Sequence, residues 1–332
     1  MASKRKILVT GATGKQGRSV VNALRDSDFQ LLALTRNTST PAADSLRSEP
    51  HVQVVQANLD SEESLRRVFG DAGGHNAIWG VFMMLPYSGL GQSTEGEERQ
   101  GKLLADLSAE YGVSVFVYSS AQQGGGDFEK SVEDVWIDHH GKYRIETHIR
   151  DLGETKGLRW TIIRPAIFME LFEGFMGKVS ATIMRAGFKA DTKLQLAAVD
   201  DIGGVAAAAF NNPETTSRQI LPVVSDELTM QELNDTYKKV TGSNLCSLPN
   251  ALGSLALSMN KGAKAVIVHF EGLSDKHTER RDIVDAQTAR TRDLYPQMTS
   301  FESWVGKQKG HTGESQGDWN KVSLWKLLTG RS

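Results

Sequence analysis

The feature that most constrains this chain is residues 6–17, KILVTGATGKQG. Ile7 to Val9 are apolar and strand-prone, and Gly11 stops them. Glycines recur at 14 and 17, where a helical pattern opens over Lys15 to Arg25 with Val20, Val21 and Leu24 on one face. In such a turn the first glycine permits the tight bend, the second lets the backbone approach a pyrophosphate, and the third packs helix closely on strand. The helix N-terminus adds free N–H groups and the positive end of a dipole. Glycine spacing alone is a weak signal, but here strand and helix stand where the motif needs them. Gly11, Thr13, Gly14, Lys15, Gln16 and Gly17 are the candidate diphosphate contacts.

The pattern then repeats. FQLLALTR (29–36) is a continuous apolar run, as a strand buried on both faces should be. VQVVQANLD (52–60) reads as a third strand, and Asp60 with Glu63 resembles a capping pair for the helix that follows. NAIWGVFMMLP (76–86) is a fourth strand. A helix over 96–112 carries Leu103, Leu104 and Leu107 and stops at Gly112. VSVFVYSS (113–120) is a fifth strand, 134–152 a helix, and RWTIIRP (159–165) a sixth strand. Strands alternating with helices at this spacing predict an α/β fold with a doubly wound parallel sheet and right-handed crossovers.

After Pro165 the pattern changes. Residues 171–187 are rich in Met and Phe with no clean strand behind them; 197–212 reads as a helix opened by Asp200 or Asp201. RQILPVVSD (218–226) can return a strand to the sheet, and 228–242 is a helix capped by Thr229 and stopped by Gly242. The organisation expected is a dinucleotide-binding domain over 1–165, with 195–226 returning to it. Residues 166–194 and 227–308 would form a smaller, mostly helical lobe for substrate or partner. Residues 309–332 would be a flexible tail with a short helix around Leu324 to Leu328.

The end of the second strand speaks to cofactor choice. An NAD site usually places an acid there for the ribose 2′-hydroxyl. This chain has Arg36 and no neighbouring acid, and a guanidinium suits a 2′-phosphate, with Lys15 as a second charge. NADP(H) is expected in preference to NAD(H), the alternative for Arg36 being a solvated surface residue. Asn58 and Leu59 would flank the adenine. Met84, Leu85 and Pro86 would line the cofactor's middle, and Ser119, Ser120, Arg164 and Pro165 would lie nearest the nicotinamide.

Hydride transfer belongs to the cofactor, while the protein supplies a pocket and a proton. The usual short-chain dehydrogenase pair is a Tyr four residues before a Lys, one helix face carrying both. Every Tyr here lacks that lysine. Lys142 is present with Asp138 four residues before it, a poor stand-in for a phenol and able to form an exposed ion pair with the lysine. His139 and Tyr143 share a face by the same spacing. The proton-handling candidates are therefore Ser119, Tyr143 and His139, with solvent as a further source; surface roles stay open for the helical ones.

Composition excludes other classes. A net charge of −2 gives no basic footprint for direct nucleic-acid binding. The single cysteine, Cys246, rules out an internal disulfide framework and a cysteine-rich zinc site, and reads as a small buried residue. Adjacent His139 and His140 point apart on a helix, and no metal is expected. No stretch approaches the length of a membrane span, so a cytoplasmic, or also nuclear, location is expected.

Taken together, VTGATGKQGRSVVNAL (9–24), LTRN (34–37), RQGKLLADLSAEYGVSVFVYSS (99–120), HHGKYRIETHIRD (139–151), WTIIRPAIFME (160–170) and MTSFESWV (298–305) resemble the NmrA-like group of atypical short-chain dehydrogenases. The resemblance spans about residues 5–308. It implies a Rossmann domain of NADP type, a small C-terminal lobe and a cleft between them. Lys142 matches the lysine that enzymatic members keep. Some members are reductases, of quinones among others, or tailor fungal natural products; others bind dinucleotide without turnover, as redox sensors or transcriptional co-repressors. The chain departs from the family at Ser119-Ser120-Ala121, at QQGGGDFEK (122–130) and in its tail. The glycine-rich loop 121–130 is a candidate lid.

Two functions follow as expectations. One is an NADPH-dependent reductase of a small carbonyl, quinone or conjugated alkene, with Phe168, Met169, Phe172, Phe175 and Met176 as pocket wall or plain core. The other is a dinucleotide sensor acting through a protein partner, motivated by the missing Tyr. A monomer or homodimer is expected for either.

Overall fold

Seven parallel strands carry the larger part of the molecule. In chain order they are β1 (Arg5–Val9), β2 (Phe29–Thr35), β3 (Val52–Gln56), β4 (Ile78–Met83), β5 (Val115–Ser119), β6 (Trp160–Pro165) and β9 (Gln219–Val223). They lie side by side as β3-β2-β1-β4-β5-β6-β9. Every neighbouring pair is parallel. The computed structural model describes residues 4–309 except 88, 90, 124–131, 133 and 134. The candidate lid and the C-terminal tail thus lie almost wholly outside the described residues.

Helices cover both faces. On one face α1 (Lys15–Ala23) packs on α7 (Val199–Asn211). The crossing is close because a Cβ on Gly203 would sit 2.4 Å from the Ser19 carbonyl oxygen. On the other face α3 (Glu62–Asp71), α4 (Glu95–Glu110) and α5 (His140–Thr155) cover a core built on Leu8, Phe116, Tyr118 and Ile162. The short α2 (Pro41–Arg47) lies against β3.

A second, three-stranded sheet lies beyond β6. Its order is β10 (Asp226–Leu228), β8 (Leu194–Ala197), β7 (Ile167–Phe168). Around it pack α6 (Gly174–Gly187), α9 (Met230–Thr241) and α13 (Phe301–Lys309), with a core of Met169, Phe172, Phe301 and Trp304. α10 (Asn250–Met259) crosses α6, α11 (Lys261–Glu279) follows, and α12 (Arg281–Leu294) lies on β9. The α9 caps are those its sequence predicts, Thr229 and Gly242, the latter in the left-handed region at φ 80°; the structure adds Glu232, which completes a capping box with Thr229.

Several local expectations are corrected. The cap of α3 is Ser61, whose hydroxyl accepts from the Ser64 amide, while Asp60 instead accepts from Arg99 and Gln100. Neither Asp200 nor Asp201 caps α7; Asp201 accepts from Ser225, Thr299 and the Thr299 amide, tying the chain behind α12 to the sheet. A strand, β8, does follow α6. The helix expected from residue 134 begins at His140, after a 3₁₀ turn over Ile137–His139. Among the described residues no helix is long and apolar enough to cross a membrane. Among the same residues no group of three or more His, Cys, Asp or Glu side chains converges to hold a metal.

Candidate active site

Strand order turns back between β1 and β4, and a ligand site in such a sheet lies beyond the carboxyl ends there. Thr10 closes that edge. Its hydroxyl donates to the Met84 carbonyl at 2.6 Å and accepts from the Met84 amide at 2.8 Å. The glycine turn is seated on it. Gly11 has φ 59°, and a Cβ there would lie 2.1 Å from Met84 Sδ. A Cβ on Gly17 would lie 2.3 Å from the Gly11 carbonyl oxygen. The backbone therefore demands glycine at both places.

The N-terminus of α1 is open to an anion. Gly14 is its N-cap, contributes no side-chain cap, and no acid stands in the first turn. The first-turn amides of a helix have no partner inside it, and with the positive dipole end this set fits a diphosphate. Thr13 is half-buried in the turn, and Lys15 pairs with Glu173, which precedes α6. Arg36 is exposed at the end of β2. Asn58 is exposed, and its amide oxygen accepts from the Asp60 N–H at 3.1 Å; Leu59 is buried in the core under α3 and α4. Pro86 is exposed beside the same edge.

A cavity of about 360 Å³ opens beyond β4, β5 and β6. Of the predicted site residues it gathers Gln16, Met84, Leu85, Ser119, Ser120, His139, Lys142 and Pro165. Ser119, 4% exposed, donates its hydroxyl hydrogen to Gln16 Oε1 at 2.8 Å, linking the end of β5 to the glycine turn. Tyr143, Phe172, Phe175 and Met176 are not among its walls. Phe172 and Met169 are core, Phe175 is exposed, and Phe168 alone of that apolar group lines the cavity. Cys246 is a buried thiol, and burial raises its pKa.

Lys142 does not pair with Asp138. Its ammonium meets Glu97 of α4, and both side chains are buried. Asp138, 3% exposed, accepts instead from the Tyr87 hydroxyl at 2.9 Å and from the Gly91 amide at 3.2 Å. It therefore holds Tyr87, on the cavity wall, and Gly91 in place beyond β4. Burial, and then the Asp138 charge, push the Tyr87 phenol well above its ordinary range. Arg164 faces away into a buried pair with Glu146, at 2.6 Å, that locks β6 to α5.

His139 reaches the cavity from the turn before α5. It stands edge-on to Trp136 at 5.0 Å and to His269 at 5.4 Å between ring centres. Burial is the main reason its basicity lies well below the usual imidazole range; the His269, Lys142 and Arg164 charges add to it. His139 is a neutral ring at neutral pH. Sequence reasoning missed Glu97, Tyr87, Gln122, Gln195 and His277. Their only signal was polarity at strand ends and in helices, which does not say which groups meet.

A model of the NmrA-like family matches residues 3–305. The NmrA-like family domain-containing oxidoreductase FrzB of a Cladobotryum species is 29% identical over 263 residues, 71% of this chain and 73% of that protein. The fold is also that of NmrA, a negative transcriptional regulator. Its crystal structure in complex with NAD gives a TM-score of 0.63 at 16% identity. The complex with NADP gives 0.62 at 16%. Each covers 92% of this chain and 95% of that one.

Proposed function

The chain belongs to the NmrA-like family, and from that premise we propose that it is an NADPH-dependent reductase of a small carbonyl, quinone or conjugated alkene. The observation that carries this reading is the cavity of about 360 Å³ beside the glycine turn, with Lys142, held from behind by buried Glu97, in its wall. That volume falls in the range of small-ligand sites, where a sensor with no substrate needs no such space. Oxidoreductase names among its relatives support the same class.

Residue roles follow from placement. The open amides of α1 would hold the diphosphate and Arg36 the 2′-phosphate, which favours NADP(H) over NAD(H). Lys142 would hold ribose hydroxyls and steady negative charge forming on a substrate oxygen. When bound, the reduced nicotinamide supplies the hydride. Ser119 is the group we assign to hand a proton to the substrate oxygen, with solvent replacing it through the cavity mouth. His139, neutral, bounds the substrate and can offer one N–H, but it is not an acid at neutral pH.

A second reading, a dinucleotide sensor acting through a protein partner, is favoured by one contact. Lys15 of the glycine turn is paired with Glu173, whose other oxygen is 3.4 Å from the Gln308 side chain of α13. A phosphate competing for Lys15 would loosen that tie. Steady-state turnover separates the two. The reductase reading expects NADPH absorbance to fall with a quinone, enone or ketone from a broad panel. NADPH that stays bound and unoxidised across the panel would leave the sensor.

A further inference from the structure

We propose that Gln122 is a specificity reader that selects substrates carrying a hydrogen-bond donor, an O–H or N–H, on a flat apolar ring. The inference rests on taking the cavity as the substrate site.

Four polar side chains from four elements form one directed chain. In the antiparallel pair of β8 and β10, Gln195 lies directly opposite Glu227. Gln195 Nε2 donates to Glu227 Oε2 at 3.0 Å. A carboxylate only accepts, so the Gln195 amide must turn its NH₂ that way, leaving its oxygen toward Gln122. That oxygen takes one hydrogen from Gln122 Nε2. The same nitrogen lies 3.3 Å from His277 Nε2. An amide nitrogen cannot accept there, so the imidazole nitrogen accepts and the ring proton stands on Nδ1. Burial lowers the His277 pKa, in keeping with a neutral ring.

Both amide hydrogens of Gln122 are thereby spent. Its remaining polar atom, Oε1, meets no donor among the described residues. Gln122 is 8% exposed, on the cavity wall, and its backbone N–H is pinned to the Pro165 carbonyl at 3.1 Å. Trp136, Phe168, Phe270 and Leu273 supply the apolar surface around the same cavity. An acceptor at such a place is satisfied by a ligand O–H or N–H, and repels a group that only accepts. The polarity is set at a distance by the Glu227 charge.

The test uses the full chain with NADP present and two probes that cannot be reduced, 2-naphthol and 2-methoxynaphthalene, titrated by calorimetry. The expected result is about fivefold or tighter binding of the naphthol. Glu227→Gln removes the fixed polarity and should bring the ratio near one. Gln122→Met should lose the naphthol advantage while keeping the ether's affinity. Thermal melting checks that each variant is folded. Equal affinities in the parent chain, or a ratio that neither substitution moves, would overturn the proposal. If NADPH turnover is present at the same time, the reductase reading survives that outcome. Binding of neither probe would count against the cavity as a substrate site, and so against both.

Discussion

Lys142 and Glu97 form an ion pair inside the protein, Nζ on Oε1, with side chains 11% and 1% exposed. They are 45 positions apart and meet because α4 and α5 pack side by side. The carboxylate offsets the cost of taking the ammonium out of water, and so keeps a fixed positive charge in the cavity wall.

Breaking that pair from one side should be costly. Glu97→Gln leaves a buried charge without its partner and is expected to lose about 3–5 kcal/mol of stability by urea unfolding. The double replacement Glu97→Leu with Lys142→Met should recover most of that loss, yet show no turnover. A single variant that loses under about 1 kcal/mol would mean the pair is effectively solvated.

The glycine turn gives a second prediction. Gly11→Ala forces a side chain into a positive-φ position and against Met84, at a cost of about 1–3 kcal/mol. Gly17→Ala meets backbone rather than a flexible side chain and should be worse. Both should weaken dinucleotide binding more than ten times, as measured by calorimetry on the folded fraction; parent-like affinity in Gly17→Ala would contradict the turn's role.

Arg36 is exposed and should act only on the extra phosphate. Arg36→Glu is expected to weaken NADP binding by about 10–100-fold, near 1.4–2.8 kcal/mol, and to leave NAD binding close to its parent value. Lys15→Ala should do less, because its charge is already shared with Glu173. An unchanged NADP-to-NAD ratio in Arg36→Glu would remove Arg36 as the reader.

Stability should fall on mild acidification. His269 is stacked on Trp136 at 4.3 Å, and burial pushes its pKa down from 6.5 to about 4. Burial likewise holds His139 well below 6.5. In the window between about pH 6.5 and pH 4 the unfolded chain binds protons that the folded chain does not, so stability is full above the window and drains away as pH falls through it. His269 alone should account for about 2 kcal/mol between pH 7 and pH 5. Chemical unfolding at the two pH values measures it, and His269→Phe, which keeps the stack, should flatten the slope. A slope that variant does not change would assign the acid sensitivity elsewhere.

What could be read from sequence was what is written locally. The strand, glycine turn and helix over 5–23 stand together because each needs only its neighbours, and so do the Thr229 and Gly242 ends of α9. β8 escaped because four residues paired to two-residue and three-residue partners carry no periodicity of their own. Asp60 and Ser61 are equally good caps on paper; the reach of Arg99 and Gln100 to Asp60 decides between them. Glu97 and the Gln122–Gln195–Glu227 chain were invisible for a different reason. Their meaning lies in long-range pairing, and a buried Glu has the same letter as a solvated one.

The central claim is that a phosphorylated dinucleotide binds over the crossover from β1 to α1. Calorimetric titration of the purified chain with NADPH tests it most directly. The account predicts one saturable site per chain, binding of NADH weaker by about 10–100-fold, and loss of that difference in Arg36→Glu. No heat and no saturation with NADPH would contradict it.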